Sequence, residues 1–411
     1  MTLSASAAPT ADHDRLPVMD ILRGFALLGI FLMNIEFFTR TLQSYSGGVS
    51  PSEGWDHVFG LAIYVAVQGK FWVLFALLFG MGFALMRDRA SATGRPFFGM
   101  YLRRTLLLAL FGALHIAFVW VGDILLAYAI TALLLMMFAW LRGTAAWVVG
   151  ALVYLGMAGL WLLMGVGLMF MPESMMEPVR AEMVGLVAEA ERAAAVYREG
   201  SFVEITGQRL SDFQFLATGA LPFQVPMMLG VFLIGSWLVG TGRLADPVAH
   251  RGFFVKLAVG GLALGALGVA ASVALGTQFD LVDGFAEATA AMGLMSLGNL
   301  PLALGYLALV VLLATGPLRG AFGVLAPAGR MALTNYLMQS VVGTLVFYGY
   351  GLGLWGEVGR SGQVGIVLVV FAAQVAFSHW WLARFRFGPM EWLWRAGTYL
   401  QWPPMRRVAG A

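Results

Sequence analysis

The stretch GALHIAFVWVGDILLAY, residues 112–128, sets His115 and Asp123 in an otherwise apolar run. A carboxylate beside an imidazole fixes the ring tautomer and stabilises its protonated form. The pair therefore suits a general base, an acyl-accepting imidazole or a proton relay. The competing reading is a buried histidine bonded to a neighbouring helix, although ionisable groups inside apolar spans are rare and tend to be functional. Arg104 lies eleven residues before His115, and in MDILRGFALLGIFLMN Asn34 follows Arg23 by the same interval. Eleven steps of 100° return close to the starting direction, so Arg104 and His115 share one helical stripe. Asp20, Arg23 and Asn34 share another, with Asp20 and Arg23 spaced for an ion pair. Each stripe carries an arginine about 16 Å from a hydrogen-bonding side chain, at 1.5 Å per residue. Asn34 is read either as a substrate contact or as an interhelical hydrogen bond.

Further polar groups stand in apolar surroundings. GKFWVLFALLFGMG places Lys70 near mid-span, where it must find an anion, an acyl carbonyl or Asp123. GRMALTNYLMQS places Arg330 at a helix end, with Asn335 and Gln339 four apart on one face. These two suit a polar lining for an elongated ligand or plain adhesion between helices. RFRFGPMEWLWR mixes Trp, Arg and Glu391, the composition of an interfacial anchor. No cysteine is present, so there is no thiolate nucleophile and no cysteine-based metal site. No phosphate loop, zinc signature, strand-to-helix serine or haem pattern occurs, and no metal is expected.

The elements that must position these residues follow from composition. Of 411 residues, 60% are hydrophobic and 11% charged, against about 25% charged in soluble domains. The mean hydropathy is +0.82. The chain is expected to be an all-α polytopic membrane protein, with about ten transmembrane helices in one bundle. The spans lie near 17–38, 58–86 (interrupted around Gln68–Lys70), 104–121, 123–141, 145–171, 218–240, 254–276, 292–315, 325–350 and 363–384. With both termini cytoplasmic, Arg87, Arg142, Arg243, Arg251, Arg319 and Arg384 fall on the inner face, as basic residues do. That face accounts for the pI near 9.3 without nucleic acid. The domain reading is a polar tail at 1–16, a membrane domain at 17–395 and a cytoplasmic tail at 396–411. Segment 172–213 is then extracytoplasmic, either an amphipathic cap or a solvated connector. GGLALGALG, Gly260–Gly268, is read as close helix packing.

Five blocks together resemble the YeiB-like family (domain of unknown function 418). They are DILRGFALLGIFLMN, GKFWVLFALLFGMG, LLLALFGALHIAFVWVGDILLAY, GRMALTNYLMQS and FGPMEWLWR, in that order, and the resemblance covers roughly half the chain. The first block also resembles the wider transmembrane acyltransferase superfamily, with its acyltransferase-three and heparan glucosaminide acetyltransferase relatives. That resemblance implies a ten-helix core moving an acyl group from a cytoplasmic donor such as acetyl-CoA to an acceptor on the far side. Acyltransferase-three proteins usually carry a catalytic His where this chain has Asn34. The glucosaminide acetyltransferases have Asn there and use a His elsewhere, which leaves His115 as the available base and His57 as the less favoured one.

Two functions follow as expectations. In the first, Arg23, Arg103, Arg104 and Arg330 bind the phosphates of an acyl-CoA co-substrate. His115 is the base, Asp123 orients it, and Asn34, Lys70 or Asn335 stabilises the oxyanion. The acceptor is a glycan, lipid or small molecule arriving from outside, and no tightly bound cofactor is implied. In the second, the chain is a transporter or lipid-handling protein with a His115–Asp123 proton relay. Membrane lipids are partners in both, and the expected location is the bacterial cytoplasmic membrane.

Overall fold

The computed structural model describes residues 16–94 and 96–407. The amino-terminal polar tail, apart from Leu16, and residues 408–411 of the carboxy-terminal tail lie outside the described residues. Sixteen α-helices follow one another. They begin with α1 (Pro17–Asn34), extended by a 3-10 turn at Ile35–Phe38, then α2 (Gly54–Ala66), α3 (Lys70–Ala92), α4 (Phe97–Phe118), α5 (Leu125–Met137) and α6 (Gly143–Met169). Next come α7 (Glu173–Glu199), α8 (Phe202–Gly219), α9 (Leu221–Gly240), α10 (Arg251–Leu275) and α11 (Phe285–Thr315). The chain ends with α12 (Arg319–Gly323), α13 (Ala326–Arg330), α14 (Ala332–Phe347), α15 (Arg360–Arg384) and α16 (Pro389–Tyr399).

The protein is an all-α polytopic membrane protein. Eight segments are long and apolar enough to cross a bilayer: Pro17–Phe38, Gly54–Ala92, Phe97–Phe118, Gly143–Met169, Leu221–Gly240, Arg251–Leu275, Phe285–Thr315 and Arg360–Arg384. The other two expected spans are shorter apolar helices, α5 and α14. With 13 and 16 residues, they rise about 20 and 24 Å, short of a 30 Å hydrocarbon core. The expected interruption near Gln68–Lys70 separates α2 from α3, where Gly69 takes φ +79°.

The helices sort into an inner and an outer set. In α1 and α9, 67% of the most apolar window is buried, against 28% in α4 and 22% in α6. The stripe Leu102, Leu106, Leu110, Leu114 and Phe118 on α4 is exposed, a face suited to lipid rather than water. Exposed Trp140, Trp147, Trp380 and Trp402 lie near helix ends, where interfacial aromatics collect. Gly261, Gly265 and Gly268 of GGLALGALG face α11, where an added Cβ would strike Pro301, Leu302 or Gly298. The expected close packing is what these glycines provide.

Segment 172–213 forms α7 and most of α8. Their corner is a capping box in which Ser201 and Glu204 satisfy each other's backbone or side chain. The Ser201 hydroxyl and N–H hold the Glu204 carboxyl below its usual range. These helices pack through buried Ala193, Tyr197 and Ile205 onto Phe31, Phe38, Trp120 and Tyr348. The segment is helical and packed against the bundle along this cluster.

Candidate functional site

A cavity of about 270 Å³ runs up between α1, α3, α4, α14 and α16. Its mouth is lined by Arg23, Arg89, Arg104, Arg330 and Arg395 together with Asp20 and Glu391. Its depth is lined by Leu27, Ile30, Phe75, Phe79, Leu108, Ile124, Leu125 and Tyr336. One end is cationic and the other apolar, the shape of an anionic head on a linear arm.

Glycines assemble the mouth. An added Cβ at Gly24 would lie 2.3 Å from the Leu325 carbonyl oxygen, and one at Gly329 would lie 1.8 Å from that of Asp20. Only glycine lets α1 and α13 touch backbone to backbone, and the contact brings the adjacent Arg23 and Arg330 to one opening. Arg23 donates to Asp20 at 2.7 Å. The Arg104 guanidinium lies 3.5 Å from the centre of the Trp394 ring, a cation–π contact. The Trp394 indole N–H in turn donates to the Arg104 carbonyl at 2.8 Å. The Glu391 carboxylate accepts from the backbone N–H of Leu333 at 2.7 Å and of Thr334 at 3.0 Å, and from the Thr334 hydroxyl at 2.7 Å. It thereby caps the first turn of α14. Burial pushes the Glu391 carboxyl above its ordinary range, opposed by the bonds from Thr334 and Leu333.

His115 and Asp123 lie outside the cavity lining, behind Tyr336. His115 Nδ1 lies 2.8 Å from Asp123 Oδ2, and both side chains are buried. Asp123 Oδ1 accepts the Leu126 N–H at 2.8 Å, so the same carboxylate caps α5. Nδ1 is thus the ring nitrogen that the carboxylate engages, and Nε2 is the one left without it. Nε2 is buried and has no protein partner among the described residues. Gly112, one turn before His115, makes this geometry possible: a Cβ there would lie 2.6 Å from Leu126 N and 2.9 Å from Asp123 Oδ1. Tyr336 stands between cavity and dyad. Its ring centre is 5.5 Å from that of His115, and its hydroxyl accepts the Ile124 N–H at 3.3 Å.

The expected site residues divide accordingly. Asp20, Arg23, Arg104 and Arg330 line the cavity, whereas His115 and Asp123 pair outside its lining, behind Tyr336. Asn34 closes α1 one turn past Ile30 and is half-buried, outside the cavity lining. Arg103 turns outward and donates to the Thr398 carbonyl at 3.0 Å. Lys70 does not reach an anion or Asp123. It is fully buried, and its ammonium donates to the Tyr64 carbonyl at 3.1 Å and lies 3.0 Å from Met295 Sδ. Helical side chains lean toward the preceding turn, and here that turn is the end of α2, where carbonyls are left over. Asn335 donates to the Ala328 carbonyl and to Ser378. Gln339 donates to Gln374, which donates to the Asn335 carbonyl. These two join α14 to α15. His57 meets Gln278 at 3.4 Å, away from the cavity.

Sequence reasoning overlooked Tyr336, Arg89 and Arg395, and it placed Glu391 in an anchor. A signal existed, because Gly329, Leu333 and Tyr336 recur at helical spacing. Polarity drew attention instead to the Asn335–Gln339 face, which packs on α15.

Residues 238–401 match the profile of a protein of unknown function, DUF418. This span holds Arg330, Tyr336 and Glu391. Full-length relatives add the half bearing α1 to α5. The chain is 32% identical to the uncharacterized protein YxaH of Bacillus subtilis (strain 168), over 98% of this chain and 99% of YxaH. It is 30% identical to the uncharacterized protein YeiB of Escherichia coli (strain K12), over 94% of this chain and 96% of YeiB. An uncharacterized 39.9 kDa protein from the amylase 3' region of Bacillus acidopullulyticus is 27% identical over 95% of this chain and 96% of its own length.

Proposed function

The chain belongs to the YeiB-like DUF418 family, and from that premise we propose that it is an acyltransferase of the bacterial cytoplasmic membrane. It would move an acyl group from a cytoplasmic CoA-type donor to an extracytoplasmic glycan, lipid or small-molecule acceptor. The observation supporting this most is the cavity itself, which joins an arginine-lined mouth to an apolar depth ending beside a buried His–Asp pair. Arg23, Arg104 and Arg330 bind the phosphates of the donor, and Trp394 forms one wall of the mouth. The thioester arm occupies the apolar depth. His115 Nε2 takes the proton of the acceptor hydroxyl as its oxygen attacks the thioester carbonyl. The C–S bond breaks, and the imidazolium returns that proton to the leaving thiolate. Asp123 holds the tautomer and stabilises the imidazolium. The Tyr336 hydroxyl, at the end of the cavity, donates to the oxyanion.

The test is calorimetry with acetyl-CoA on the purified chain, together with release of CoA thiol followed by a thiol-reactive chromophore. The chain has no cysteine, so only CoA reacts. Sub-millimolar binding, weakened at least tenfold by Arg104→Ala, is expected. A parent protein that binds no acetyl-CoA at millimolar concentration sinks the reading. It would favour the rival, a transporter in which the unbonded His115 Nε2 carries a proton.

A further inference from the structure

A second polar cluster lies on the other side of His115, beneath the α7–α8 cap. Gln43, Trp120, Arg209 and Asp212 are each at least 97% buried. Contacts among them and their neighbours link them into one patch. Gln43 Nε2 donates to Asp212 Oδ1 at 2.8 Å, and Tyr197 donates to Asp212 Oδ2 at 2.6 Å. Arg209, one turn before Asp212 on α8, donates to the Val119 carbonyl at 2.6 Å. Trp120 follows Val119, and its ring centre lies 6.3 Å from that of His115. The N–H groups of Val119 and Trp120 both donate to the His115 carbonyl at 2.8 Å. None of the four cluster residues lines the arginine cavity.

Polar valences are left open in this patch. Gln43 Oε1, Trp120 Nε1 and Arg209 Nε are buried without a protein partner among the described residues, as is His115 Nε2. Native proteins rarely leave such groups unpaired, and a group of them at one place points to a ligand or ordered solvent. The open valences are two N–H donors and one carbonyl acceptor, so their complement must both accept and donate. A hydroxyl does both, an ammonium only donates, and a phosphate dianion only accepts. The charges agree, because Arg209 and Asp212 cancel here, whereas the mouth of the other cavity carries an excess of arginine. The Trp120 ring, 4.4 Å from that of Phe38, adds an apolar wall.

We propose that Gln43, Trp120, Arg209 and Asp212 form a subsite for an uncharged, hydroxyl-bearing group, entered from beneath the α7–α8 cap. On the acyltransferase reading this group is the acceptor, and that word alone rests on the reading. Donor and acceptor then approach His115 from opposite sides and meet at its Nε2. Specificity for a neutral acceptor comes from the cancelled charge.

Saturation-transfer NMR on the full chain in nanodiscs tests the subsite without requiring turnover. The probes are methyl α-glucopyranoside, glycerol 3-phosphate and ethanolamine. The glucoside is expected to show the strongest transfer, reduced at least fivefold by Gln43→Leu and by Trp120→Phe. Gln43→Leu keeps the side-chain volume nearly constant and removes the amide, which separates lost recognition from lost packing, whereas Trp120→Phe removes the indole N–H together with the pyrrole ring. No transfer to the glucoside in the parent means that solvent fills the patch, and it overturns the proposal. So does equal transfer in parent and both variants, or a stronger signal on either charged probe. Absent acetyl-CoA binding alongside an intact glucoside signal would end the acyltransferase reading and leave the subsite standing.

Discussion

The His115–Asp123 bond uses Nδ1 and leaves Nε2 buried without a protein partner among the described residues, and two roles for the pair make different predictions. For a general base, His115→Ala and His115→Gln should both lower kcat by about 10² to 10⁴. For structural adhesion alone, His115→Gln would keep turnover and only His115→Ala would lower the melting temperature. Measuring CoA release and melting on the same preparations separates the two. Asp123→Asn should also impair turnover, since an amide cannot stabilise imidazolium. Tyr336→Phe removes one oxyanion donor, and a fall in kcat of about a hundredfold is expected, with donor affinity nearly unchanged. Full kcat in Tyr336→Phe would remove the phenol from the mechanism.

At the scale of elements, two contacts set the site. Gly112 allows α5 to lie close on α4. Gly112→Ala puts a Cβ against Leu126 N and Asp123 Oδ1, so turnover should fall as in Asp123→Asn and stability should fall as well. Wild-type kcat in Gly112→Ala would show that the helices adjust without cost to the dyad. Glu391 ties α16, a wall of the mouth, to the first turn of α14, which carries Tyr336. Its carboxyl is raised from 4.5, so the folded state holds the proton more tightly than the unfolded chain. Stability from this group is full below the unfolded value and declines as pH rises through the folded one. The melting temperature of the parent should therefore fall over that window. Glu391→Gln should flatten the decline, and an unchanged profile in Glu391→Gln would assign the pH dependence to other groups.

For the molecule as a whole, the proposed topology puts the cap and the arginine mouth on opposite sides of the membrane. With both termini inside, a cysteine introduced at Ser201, the exposed corner of α7 and α8, should react with impermeant maleimide added outside intact cells. Labelling only from the cytoplasmic side would invert the topology and move the arginine mouth outward. The donor should stabilise the fold by linkage, by about 2.7 kcal/mol at a hundredfold excess over Kd. The melting temperature should rise with acetyl-CoA, and rise less in Arg104→Ala. Equal rises in both would detach Arg104 from the donor.

The sequence by itself determined the apolar helices and set His115 and Asp123 near enough along the chain to meet, and the hairpin geometry of the structure made the bond. These depend on local periodicity and on a hairpin only a few residues long, so neighbours in sequence are neighbours in space. The registers of α1 and α4 also carry Arg23 and Arg104 to the cavity lining. Only the tertiary structure decided which face of α14 lines the cavity, since a polar face and a ligand-facing face look alike until the partner helix is known. Asn335 and Gln339 turned to α15, and Tyr336 took the site. Lys70 found the carbonyls at the end of α2 because the break at Gly69 redirects it. Arg209 and Asp212, inside a charged segment that reads as exposed, were buried by the packing of α8 over Val119 and Gln43. That contact joins residues far apart in the chain, and no local pattern specifies it.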